Sequence, residues 1–114
     1  MLVAAAALAM ALITGCDNDN DRDHVPQPGF GALLVDNNTS RDLRVYVDGE
    51  EIGKVGDYSD RPFDLKPGVY RIVLDQRNSD ASWRDDVDII DGRLTVLDVA
   101  DDFGDDLDVR VFFD

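Results

Sequence analysis

The sequence is poor in the groups that most enzymes use. It has one cysteine, Cys16, and one histidine, His24, in 114 residues. A single cysteine cannot close a disulfide within the chain, so a folded domain must rest on its own packing or on a partner. One thiol and one imidazole cannot assemble a histidine- or thiolate-based zinc site. His24 also lies in a polar stretch, where no rigid shell is expected to hold it against a nucleophile. Lysine is nearly absent, with Lys54 and Lys66 beside nine arginines and against 25 acids. The net charge is −14. Nucleic-acid phosphates and anionic lipid headgroups repel such a surface, so nucleic acid is not an expected partner. Glutamate is scarce too: apart from Glu50 and Glu51, every acid is aspartate. Aspartate favours turns and caps over helix interiors. Strands and loops are therefore expected in preference to helices.

One long apolar run is present. Leu2 to Ile13 is uncharged and rich in alanine and leucine. It is too short for the roughly 20 residues of a membrane-spanning helix, but it suits the h-region of a signal peptide. It has no polar face that would let it pack as an amphipathic helix. Ile13, Thr14, Gly15 and Cys16 follow. They resemble the lipobox of bacterial lipoproteins. That resemblance implies cleavage before Cys16, diacylation of Cys16, and a mature protein tethered to a membrane of the cell envelope. It divides the chain into a signal peptide (1–15), a lipidated cysteine with an acidic tether (16–29) and a domain (30–114). Asp17, directly after the cysteine, is similar to the inner-membrane retention signal of enteric bacteria.

The tether has almost nothing apolar to bury and is expected to be disordered. Its opening acids, Asp17, Asp19 and Asp21 with Asn18 and Asn20, begin like a calcium loop. Arg22 then stands where an EF-hand needs glycine, and Pro28 where it needs the bidentate glutamate.

From Phe30 onward, short apolar runs alternate with turn residues. Gly31 to Asp36 reads as a buried strand, and Asn37 to Ser40 as a turn. Leu43, Val45 and Val47 share one face of a second strand, and Asp48-Gly49 signals a hairpin. A short strand near Glu51 to Val55 follows. Residues 56–66, with Pro62 among them, read as irregular. Tyr70, Ile72 and Leu74 share a face, as do Val87 and Ile89, and Val109, Val111 and Phe113. Asp91-Gly92 has the spacing of a two-residue hairpin joining strands at 83–90 and 93–100. The expected fold is all-β: a small antiparallel sandwich of about seven strands, with no helix after the signal peptide. Outward Asp86, Asp88 and Asp108 are expected to blunt its edges.

The segment Val45-Tyr46-Val47-Asp48-Gly49-Glu50 with Ile52-Gly53, and the later Leu65-Lys66-Pro67-Gly68-Val69-Tyr70, resemble the PEGA domain. Val87-Asp88-Ile89 with Asp91-Gly92 is similar to its closing hairpin. The likeness spans about Leu33 to Val99. It implies a β-sandwich module of bacterial envelope proteins with a scaffolding or adhesive role and no active site.

Carboxylates are the plentiful reactive group. Asp85 with Asp86, or Asp101, Asp102, Asp105 and Asp106, are the candidate pairs for glycoside hydrolysis. Such runs are more often solvated faces. Asp101, Asp102, Asp105, Asp106 and Asp108, with Asp98 nearby, are the candidate ligands of a calcium ion. No other cofactor is expected. Tyr46 and Trp83 are the candidate aromatic contacts for a glycan or protein. Tyr58 and Phe63 are expected to cover the sandwich edge.

The sequence thus reads as a non-enzymatic envelope lipoprotein, anchored through Cys16, whose acidic sandwich binds or spaces at the membrane surface. Its partner would be a basic envelope protein or a cell-wall glycan. Two alternatives remain: an acidic inhibitor of a basic, lysozyme-like hydrolase, and a calcium-dependent adhesion module. A composition so acidic and lysine-poor also suits a saline habitat.

Overall fold

The computed structural model describes residues 21–102 and 106–114. The lipobox, Cys16 and Asp17 to Asn20 lie outside the described residues, and so does Asp105. After a single 3₁₀ turn at Asp21–Asp23 come eight strands. They are β1 (Gly31–Asn37), β2 (Leu43–Val47), β3 (Glu50–Val55), β4 (Ser59–Leu65), β5 (Gly68–Gln76), β6 (Ser82–Ile89), β7 (Leu94–Asp101) and β8 (Leu107–Phe113). They form two four-stranded sheets, ordered β4-β1-β7-β8 and β3-β2-β5-β6. All pairings are antiparallel except β1 with β7, which is parallel.

Alternation builds the layer between the sheets. Leu33 and Val35 of β1, Leu43 and Val45 of β2, Ile72 and Leu74 of β5, and Leu97 and Val99 of β7 are all fully buried there. The Asp48-Gly49 hairpin forms as the sequence predicts, with φ of 51° and 87°. Two positive φ values in a row suit the right-handed twist of the flanking strands.

Two expectations are corrected. Residues 56–66 are not irregular. Most of them form β4, which pairs with β1 and places Pro62 opposite Leu34. A proline is tolerated here because β4 is an edge strand and needs no donor on its outer side. Asp91-Gly92 is not a hairpin either. β6 pairs with β5, whereas β7 pairs with β1 and β8, so this turn carries the chain from one sheet to the other. The crossing runs so close to β1 that a Cβ on Gly31 would stand 2.3 Å from the Ile90 carbonyl oxygen. No real Cβ sits there, which is why β1 begins with glycine.

Two other inter-sheet crossings, β1 to β2 and β3 to β4, meet at Asn37. Its side chain is fully buried. Its Nδ2 donates to the carbonyls of Arg41 at 2.9 Å, Val55 at 3.2 Å and Gly56 at 2.9 Å. Its Oδ1 accepts from Thr39 N at 3.0 Å and Thr39 Oγ1 at 2.7 Å. The residue expected to open a turn is instead the buried end of β1. Among the described residues, no buried side-chain polar atom lacks a partner.

Asn37→Ala should lower the unfolding free energy by about 2–4 kcal/mol, because it strands several buried groups at once. Its exposed neighbour bonds outward, Asn38 Nδ2 donating to Asp98 at 2.8 Å. Asn38→Ala should therefore cost under about 0.5 kcal/mol. Urea unfolding of both variants checks the contrast, and equal losses would refute the buried-corner account.

Candidate binding surface

The sheet β4-β1-β7-β8 is apolar on both faces. Beyond the central layer, Ala32, Leu34, Leu94 and Val96 form a second buried cluster on its outer side, with Phe112 packed against it. Outward-facing apolar residues become buried only if something lies over them. Residues 21–29 cross this face. The Arg22 guanidinium lies 5.2 Å from the Phe112 ring centroid and 3.2 Å from the Asp36 carboxylate. His24 Nε2 is 2.7 Å from Asp64 Oδ1. A carboxylate only accepts, so Nε2 carries the proton in this bond. The Gln27 backbone N–H donates to the other Asp64 oxygen at 3.2 Å. The described part of the expected tether is therefore a strap, held by an ion pair, a cation–π contact and two bonds to one aspartate.

The outer face of the other sheet is polar. Registered rows place Lys54, Arg44 and Asp75 side by side, then Tyr46, Val73 and Arg84, then Arg71 and Asp86. Arg71 Nε donates to Asp86 at 2.7 Å. That bond, and then the Asp86 charge, hold the Arg71 guanidinium above its ordinary value. Both side chains are more than half exposed, so water screens the pair.

The candidate aromatics separate. Tyr46 is half-buried on the polar outer face. Trp83 pairs with Leu74 and packs against the central core, so it faces inward. The two cannot form one contact surface. Phe63 is 9% exposed and belongs to the core, whereas Tyr58 is 69% exposed in a turn. Phe63 also explains the glycine at position 53: a Cβ there would stand 3.0 Å from its ring and 2.9 Å from an Arg61 guanidinium nitrogen.

The candidate carboxylates divide as well. Asp85 and Asp86 are consecutive in β6, so they project to opposite sides of the sheet and cannot flank one glycosidic bond. Asp98 accepts from Arg110 at 2.9 Å, and Asp101 from Gln76 Nε2 at 2.9 Å. Among the described residues, no three carboxylates come together closely enough to hold a metal ion. Asp102, Asp106 and Asp108 instead line an open groove of about 620 Å³ with Val73, Ser82, Trp83, Arg84 and Leu107. It lies where Ser82 of β6 bridges Asp106 just before β8.

No protein-family model matches the chain and no curated protein matches it. The PEGA resemblance therefore rests on the quoted residues alone. Among solved structures, the C-terminal domain of AlgF from P. aeruginosa is similar, with a TM-score of 0.62 at 17% identity. The match covers 75% of this chain and 99% of that one. At this identity the likeness shows a shared fold.

The strap makes a prediction. Asp64→Ala removes two of its bonds and should cost about 1 kcal/mol. It should also speed limited proteolysis within residues 21–29, leaving the rest of the domain resistant. An unchanged cleavage rate there would show that Asp64 does not hold the strap.

Proposed function

We propose that this chain is a non-enzymatic, lipid-anchored domain of the bacterial cell envelope that presents an acidic β-sandwich for binding. Two things support the reading. The lipobox-like residues Ile13 to Cys16 favour anchoring. The projection of Asp85 and Asp86 to opposite sides of their sheet favours binding over chemistry at that pair.

The observation that carries it is the charge along the side where β6 and β8 approach. Asp102, Asp106 and Asp108 are exposed there and line the open groove. A surface with that field draws basic proteins, raising their association rate in a salt-dependent way. The natural partner is a basic envelope protein. A basic hydrolase of the lysozyme kind is one such protein, and inhibition of its activity at low salt would specify that case.

Cys16→Ser should move the protein from the membrane pellet to the soluble fraction of its host. Wild-type protein on beads should retain a discrete basic protein from solubilised envelope and release it as salt rises, since screening weakens exposed charge pairs. An empty salt ramp would argue for a passive spacer. A fully soluble wild type would remove the lipid anchor from the proposal.

A further inference from the structure

The two sheets have four edges, and three of them are guarded. β3 carries Glu50 and Glu51, and its pairing with β2 shifts register between Val45 and Tyr46. β4 carries Pro62 and, opposite Val35, the exposed Arg61 on its core-facing side. β6 carries the exposed Asp85 on its core-facing side, opposite the fully buried Ile72. Bulges, prolines and inward-pointing charges are the usual devices that stop an edge from pairing with another chain. β8 has Asp108 near its start. Beyond that, its remaining charge, Arg110, is drawn across the sheet to Asp98. Val109, Val111 and Phe113 complete the strand without a proline, bulge or inward charge.

The backbone of β8 is open at the same residues. Asp114 N donates to Leu94 O at 3.0 Å. That bond makes the Leu94–Asp114 register position a hydrogen-bonded pair. Alternation then places Phe113, Val111 and Val109, opposite Thr95, Leu97 and Val99, in the other kind of pair. In such pairs the N–H and C=O groups point away from the neighbouring strand. They point to the free edge, because β8 is the last strand of its sheet. The side chains at these positions face the core side; Val109 packs against the core, whereas Val111 is 44% and Phe113 45% exposed. The cause is the shape of the sandwich. Among the described residues, a single bridge ties Ser82 of β6 to Asp106 just before β8, and no pairing links the two strands beyond it.

We propose that the edge of β8 is a strand-addition site for an extended cationic segment of a partner protein, one that alternates apolar and basic residues. The proposal rests on the reading of the domain as an acidic binding module. An added strand would meet the outward N–H and C=O groups of Val109, Val111 and Phe113, which is the general mode of β-augmentation. Its apolar side chains would cover Val111 and Phe113. Its basic side chains would alternate to the outer face of the sheet, beside Asp108 and in the field of a chain whose net charge is −14. A second copy of this chain fits poorly, because each copy brings a net charge of −14.

The test uses the full lipidated chain in detergent micelles and short synthetic peptides. A peptide alternating lysine and valine should bind and slow amide exchange at Val109, Val111 and Phe113 by about tenfold or more. A peptide alternating glutamate and valine should not bind. Val111→Pro removes a donor that faces the partner rather than β7, so β8 should still pair. It should weaken lysine–valine binding by about tenfold or more. Val111→Lys places a like charge beside the basic peptide and should also weaken binding, which keeps the test informative if the proline variant unfolds. Equal binding by a folded variant, protection at another strand, or equal binding of the glutamate peptide would overturn the site. So would dimerisation through β8 without peptide binding. Passing solubilised envelope over wild type and Val111→Pro separates the two readings. A basic protein retained equally by both would leave the binding module standing and remove the edge site. Retention by neither would remove both.

Discussion

The fold depends on burying one amide at a corner. Asn37 sits where two inter-sheet crossings meet, and its single side chain satisfies carbonyls and donors from both. A chain without disulfides needs some means of fixing how its layers stack. Apolar packing between the sheets supplies most of the free energy, but packing alone tolerates sliding. A buried side chain with five directed bonds does not slide, because any shift strands polar groups away from water. Thr95 acts similarly on a smaller scale, its Oγ1 donating from β7 to the Asp88 carbonyl of β6 at 2.7 Å.

The second constraint is that β1 and β7 are buried on both faces. A sandwich of two sheets leaves each outer face to water, so these strands need a third layer. Residues 21–29 supply part of it with few apolar atoms. They rely on Arg22 stacked over Phe112 and on bonds to Asp36 and Asp64. The contacts are polar but directed at an apolar patch, as a long cationic side chain allows.

Local signals in the sequence carried over wherever both strands of a unit lay in one sheet. The Leu43, Val45, Val47 alternation and the Asp48-Gly49 turn are examples. They failed where the chain changed sheets. Asp91-Gly92 has hairpin chemistry, but its flanking strands part company, and no local rule reports which sheet a strand will join. Pro62 hid β4, because proline argues against a strand unless one already knows that the strand is an edge. The strap was hidden by its polarity, although a trace was legible. Ala32-Leu33-Leu34-Val35 is a continuous apolar run rather than an alternating one, and such a run means burial on both faces. Of the candidate surface, the acidity was plain in composition. The inward turn of Trp83 and the exposure of Val111 and Phe113 were not, since both depend on how β6 and β8 splay.

The strap also bears on orientation. Only five residues separate Cys16 from Arg22, whose contacts fix it to the sheet. Fully extended, that stretch reaches no more than about 20 Å. If Cys16 carries a lipid, Arg22 and the outer face of the β4-β1-β7-β8 sheet that it is fixed to therefore stay within about that distance of the bilayer surface. The strap would then set how far the domain can rise from the membrane, a limit that a tether free along its whole length would not impose.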